Sequence, residues 1–117
     1  SAKTAKTVRE MLEVVVSADG TAKNLQIPGY RVGGKTGTAN RYDEATGGYS
    51  GYTSSFIGMA PAEKPALVMS VFIHNPKTST YGSVVAGPVF KEVMTYALAH
   101  RKIPPSTTTP PKLPVAW

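Results

Sequence analysis

Val8, Met11, Leu12, Val15 and Val16 recur at the i, i+3, i+4, i+7 and i+8 spacing of one helical face. Thr7-Val8-Arg9-Glu10 has the form of a capping box, with a start near Lys3 as the alternative, and Asp19-Gly20 ends the segment. Ile27-Pro28-Gly29 reads as a turn, and Tyr30 to Asn40 as a strand rich in glycine and threonine. Arg41 to Gly51 has the composition of a flexible connection. Thr53 to Ala60 is a second strand, followed by a turn over Pro61–Pro65. Ala66 to His74 is almost continuously apolar and β-branched, the pattern of a central strand. After a loop from Asn75 to Ser83, the residues Val85, Val89, Phe90, Val93, Ala97 and Leu98 trace a second helical face, with Pro88 tolerated in the first turn. Short connections between consecutive strands favour antiparallel pairing. The predicted fold class is α+β, an antiparallel sheet of three strands with N- and C-terminal helices packed on it. There is no internal repeat.

A chain of 117 residues allows one small domain, standing alone or as a piece of a larger one. From Ile103 to Trp117 it holds five prolines and a Ser-Thr-Thr-Thr run. The expected division is a compact part over 1–102 and a flexible Pro/Thr-rich tail over 103–117. With no cysteine there is no disulfide framework, thiol nucleophile or thiolate metal site. The net charge of +6 is spread along the chain without a dense basic run or an RNA-binding aromatic motif. It describes a solvated basic surface with a general attraction for carboxylates, not a nucleic-acid-binding protein. No stretch approaches the length of a membrane span and no signal peptide opens the sequence, so any anchor is expected outside it.

The chemistry concentrates in Lys35-Thr36-Gly37-Thr38. Gly29 to Thr36 also fits the G-x-x-x-x-G-K-[ST] phosphate-loop pattern. A phosphate loop needs a helix directly after it to hold the phosphates. Here Gly37-Thr38-Ala39-Asn40 follows, poor in helix formers and without an apolar helical stripe behind it. In a strand, by contrast, alternate side chains point to opposite faces, placing Lys35 on one and both Thr36 and Thr38 on the other. Gly37 leaves room for another chain to approach the backbone. An acyl donor could then bind as an added strand by main-chain hydrogen bonds. Two hydroxyls and an ammonium suit a substrate ending in a carboxylate, and the N–H near Thr38 could face a developing oxyanion. Lys-Thr-Gly is, besides, the third of the signature motifs of serine penicillin-binding proteins and β-lactamases.

The order of Gly20-Thr21-Ala22, Gly34-Lys35-Thr36-Gly37-Thr38-Ala39, Ser55-Phe56-Ile57-Gly58-Met59-Ala60-Pro61, Asn75-Pro76, Tyr81-Gly82 and Ala86-Gly87-Pro88-Val89-Phe90 resembles one family closely. It is that of the C-terminal part of the transpeptidase domain of class B penicillin-binding proteins, especially the FtsI-type cell-division branch, up to about Arg101. His74-Asn75-Pro76-Lys77 and the helix after Gly87 have an actinobacterial wording. The Thr-Thr-Asn continuation of class A synthases is absent. The resemblance implies part of a β-lactamase/transpeptidase-like domain that forms an acyl-enzyme and needs no cofactor and no metal. Lys35 would assist proton transfer, Thr36, Gly37 and Thr38 would bind a D-Ala-D-Ala stem peptide or a β-lactam, and the Thr38 N–H would complete the oxyanion hole.

The family's nucleophilic Ser-x-x-Lys and its Ser-x-Asn occur at none of the serines, so the expectation is a fragment that is inactive alone. Its expected partners are the upstream part of the same domain and divisome proteins, and its expected location is the extracytoplasmic face of the membrane, where the parent is anchored. The rival enzymes are a β-lactamase or D,D-carboxypeptidase. A non-catalytic β-lactam sensor domain is the rival of another class. Tyr49 and Tyr52 are candidates for the border of the substrate groove. His74, His100, Asp43 and Glu44 are read as structural or solvated. Pro111 to Pro114 matches a PxxP ligand but suits a solvated linker, and Trp117 is a candidate contact for a partner or membrane.

Overall fold

The structure, a computed structural model, describes residues 1–113; Pro114 of the PxxP match and Trp117 lie outside them. Helix α1 spans Ala2–Val16. It starts earlier than the Thr7 capping box requires: Ser1 is the N-cap, its hydroxyl accepting from the Thr4 N–H at 3.2 Å. Thr7 lies inside the helix and donates back to the Lys3 carbonyl at 3.1 Å. The apolar stripe is covered only in part. Val16 is buried and Val15 packs against the core, whereas Val8 and Met11 are exposed. The C-terminal half of α1 meets the start of the sheet at Gly33, where a Cβ would lie 3.4 Å from that of Leu12.

A 3₁₀ turn over Lys23–Leu25 leads to the sheet, whose strands are β1 (Gly33–Asp43), β2 (Gly48–Ala60) and β3 (Leu67–His74), all antiparallel in the order β1-β2-β3. The segment 41–51 corrects the composition-based reading. Instead of a flexible connection, it continues both strands into a long hairpin that turns only between Asp43 and Gly48. Tyr42 and Tyr49 pair across it with rings 5.8 Å apart, edge to face. Asn40 faces Tyr52 but Tyr42 faces Tyr49, so β2 carries one extra residue: a β-bulge at Gly51, whose φ is +75°.

The third strand is also corrected. It is an edge and β2 is central. Met69, Val71 and Ile73 pack inward, while Val68 and Phe72 point away and are 69% and 54% exposed. Its two-sided apolar pattern thus finds a partner on one face only.

On the inward face lie a four-residue helix, α2 (Gly82–Val85), and α3 (Gly87–His100). The α3 face that is buried is Phe90, Met94 and Leu98, at four-residue intervals, and Val89 and Val93 of the predicted stripe are exposed. Phe90 meets Phe56 of β2 with ring centroids 4.7 Å apart. That pair requires bare backbone beside it: a Cβ on Gly34 would lie 2.4 Å from the Phe56 ring. Leu25, Ile27, Val32 and Ala60 complete the core.

The segment expected to be a flexible tail is held in place near its start. Tyr30 Oη donates to the Ile103 carbonyl at 2.7 Å, the Ser106 N–H to the Gly29 carbonyl at 2.9 Å, and the Arg31 N–H to Ser106 Oγ at 2.8 Å. The turn at Ile27–Tyr30 exposes main-chain groups that need partners, and the extended proline-rich segment supplies them.

Candidate active-site edge

The Lys35–Thr38 stretch lies in β1, and strand, not helix, follows it to Asp43. The helix N-terminus that a phosphate loop needs is therefore not there. β1 is the outer strand, with no described strand on its far side.

Which main-chain groups face that free edge follows from the pairing. The Tyr52 carbonyl accepts from Asn75 N–H at 2.8 Å and the Ala60 carbonyl from Ala66 N–H at 3.4 Å, so the even-numbered residues of β2 from Tyr52 to Ala60 turn toward β3. The odd-numbered ones turn toward β1, which makes Lys35 with Ile57, Gly37 with Ser55 and Ala39 with Thr53 the hydrogen-bonded pairs. Gly34, Thr36 and Thr38 then direct both N–H and C=O outward. An independent contact agrees: Lys35 Nζ bends around the strand and donates to the outward Thr36 carbonyl at 2.9 Å.

The side chains alternate as expected from the strand reading. Thr36 and Thr38 pair with Phe56 and Ser54 on the helix-covered face, and Lys35 and Gly37 pair with Ile57 and Ser55 on the other. The Thr36 hydroxyl makes only a long contact, 3.5 Å, with Lys35 Nζ. The Thr38 hydroxyl donates to the Thr80 carbonyl at 3.0 Å. Gly37 has a neighbour that the sequence did not suggest: a Cβ there would lie 2.5 Å from Ser55 Oγ.

Other candidates fall outside this stretch. Tyr52 faces Asn40, two residues beyond Thr38, while Tyr49 lies past the bulge on the exposed hairpin. His74 Nδ1 bonds Thr53 Oγ1 at 2.9 Å, and His100 stacks on Tyr96 at 5.6 Å. Asp43 Oδ1 accepts the Ala45 N–H in the hairpin turn. Each has a structural contact.

Sequence reasoning missed the best-paired charges. Arg31 donates through Nε and Nη2 to both carboxylate oxygens of Glu13, at 2.8 and 2.7 Å, with side chains only 11% and 4% exposed. Its Nη1 donates to Thr108 Oγ1 at 2.8 Å, and Glu63 lies 3.9 Å from its Nε. The hydrogen bonds from Glu13 hold the Arg31 pKa above the ordinary guanidinium value, against an opposing contribution from burial. Glu13 lies beside the apolar stripe, not on it, so the helical pattern carried no signal for this pair.

An outer strand that offers its main chain, an ammonium and a hydroxyl along one edge has the groups that pair with an added extended peptide. The particular family follows from comparison. The chain belongs to the penicillin binding protein transpeptidase domain family, whose model matches residues 1–95. It is 42% identical over 106 residues to stage V sporulation protein D of Bacillus subtilis, covering 90% of this chain and 16% of that protein. It is 44% identical over 98 residues to the probable peptidoglycan D,D-transpeptidase PenA of Neisseria flavescens, covering 83% of this chain and 24% of that one. Among solved structures, penicillin-binding protein 3 of Mycobacterium tuberculosis in complex with ampicillin superposes with a TM-score of 0.80 at 34% identity, over 95% of this chain and 27% of that chain. The relatives are of the class B, FtsI type, and this chain spans a quarter or less of the length of the two curated relatives.

Proposed function

We propose that this chain supplies the substrate-binding edge of a serine D,D-transpeptidase. The parent cross-links peptidoglycan stem peptides through an acyl-enzyme and is acylated by β-lactams. The observation that carries the reading is the outward main chain of Thr36 and Thr38, with the Lys35 ammonium folded over the same stretch. A stem peptide ending in D-Ala-D-Ala adds along β1 as a further strand. Its terminal carboxylate meets the hydroxyls of Thr36 and Thr38, and Gly37 lets the acyl chain come close. The Thr38 N–H faces the oxygen of the carbonyl under attack and lowers the energy of the tetrahedral oxyanion.

The nucleophilic serine and its lysine come from the upstream part of the same domain. Lys35 supplies positive charge and a hydrogen bond beside them and assists proton transfer. No cofactor or metal is needed for this chemistry. The parent works at the extracytoplasmic face of the membrane, anchored by another segment and in contact with divisome proteins; no helix among the described residues is long and apolar enough to cross a membrane itself.

The test is acylation of the full-length protein by a fluorescent penicillin. Lys35→Ala should slow it on the order of a hundred-fold, the scale of losing an assisting acid–base group. Labelling at the unaltered rate would remove Lys35 from the mechanism.

A further inference from the structure

In the arrangement seen here the Thr38 hydroxyl is not free to bind a carboxylate. Its single proton goes to the Thr80 carbonyl, so toward a ligand it offers lone pairs only, whereas a carboxylate needs a donor. The same carbonyl accepts a second proton, from Ser54 Oγ. Ser54 sits directly opposite Thr38 in the β1–β2 register and is fully buried. The buried positions that follow it on β2 are Phe56, Gly58 and Ala60, so Ser54 is the one hydroxyl in that row. A buried hydroxyl is costly unless bonded, and here its bond converges on the acceptor that Thr38 also uses. Thr80 closes the loop before α2, and α2 is pressed onto the sheet: a Cβ on Gly82 would overlap the Ser55 carbonyl, 2.0 Å away.

We propose that Ser54 is a positioning residue for Thr38, an inference that rests on reading the β1 edge as a carboxylate-binding site. A carbonyl oxygen has two lone pairs, and Ser54 fills one of them permanently. Thr38 can then swing its proton from Thr80 to the ligand carboxylate without leaving the Thr80 carbonyl unpartnered. Without Ser54, the same swing strips that carbonyl of its last donor, and an unmade bond of this kind is what proteins avoid. Ser54 thus keeps the loop anchored while Thr38 changes partner, and the Thr38 hydroxyl becomes a two-position switch.

The experiment uses the full-length protein and compares acylation by a fluorescent penicillin with acylation by its carboxyl methyl ester. Ser54→Ala leaves Thr80 bonded to Thr38, so the fold should hold, as a thermal melt will show. The acid-over-ester rate ratio should fall roughly three- to ten-fold, the effect of one hydrogen bond. Thr38→Val should lower the same ratio, and the double variant should fall no further than Thr38→Val alone. Acid and ester slowed alike in Ser54→Ala, an unchanged ratio, or multiplying effects in the double variant would each overturn the role of Ser54. Lys35→Ala separates the two levels. If it is acylated normally, the site reading fails and this inference with it; if it is slow while the Ser54→Ala ratio is unchanged, only this inference fails.

Discussion

Arg31 is four residues from Lys35 and touches no proposed substrate, yet it joins four parts of the chain: α1 through Glu13, its own segment just before β1, the loop after β2 through Glu63, and the segment at Thr108. Its guanidinium and the Glu13 carboxylate form a bidentate pair almost out of water. Replacing such a pair by apolar residues can be nearly neutral, whereas removing one member strands a buried charge. Arg31→Ala should therefore destabilise the domain by about 3–5 kcal/mol, and Glu13→Leu combined with Arg31→Met by much less. Urea unfolding of the full-length protein checks this. If the single and double variants lose the same stability, the pair is not the buried unit that the geometry describes.

At the scale of elements, periodicity was legible and coverage was not. The strand at Lys35–Thr38, the antiparallel order and both long helices could be read from the spacing of apolar and turn residues. The hairpin over 41–51 was missed because Gly, Ser and Asp weigh toward a loop locally, while the cross-strand pairing of Tyr42 with Tyr49 is a tertiary term. The site was legible as residue types but not as a network. Nothing in a linear pattern says that Ser54 and Thr38 share the Thr80 carbonyl. The apolar run of β3 was read as central because both its faces are apolar, and the described residues leave one of them, and one edge, bare. By the same alternation as on β1, Met69, Val71 and Ile73 bond to β2, and Val68, Ser70 and Phe72 face outward. If an upstream strand of the parent covers that edge, the amides of Val68, Ser70 and Phe72 will exchange slowly in the full-length protein and quickly in the isolated chain. The inward set will be protected in both. Fast exchange of the outward amides in the full-length protein would show that β3 is a true edge.

The whole molecule has a division of labour that no single element shows. α2 and α3 cover one face of the sheet, while Ile57, Val68 and Phe72 on the other face and Val8 and Met11 on α1 stay exposed. Ile57 faces Ser70, between Val68 and Phe72, so these three share one exposed apolar patch of the kind that marks an interface, and the chain corresponds to 27% of the Mycobacterium tuberculosis chain that it superposes on. On the proposed function, these faces are covered by the remainder of the transpeptidase domain, which also brings the nucleophilic serine. The isolated 117-residue chain should then bind a hydrophobic dye and take no label from a fluorescent penicillin. Co-expressed with the upstream polypeptide that carries Ser-x-x-Lys, it should co-purify, lose most of the dye signal, and allow the serine of its partner to be labelled. Lys35→Ala in the short chain should slow that labelling although the acylated atom lies in the other polypeptide. A dye-silent chain that is labelled by itself would mean that the nucleophile is present within it and that the site is complete without a partner.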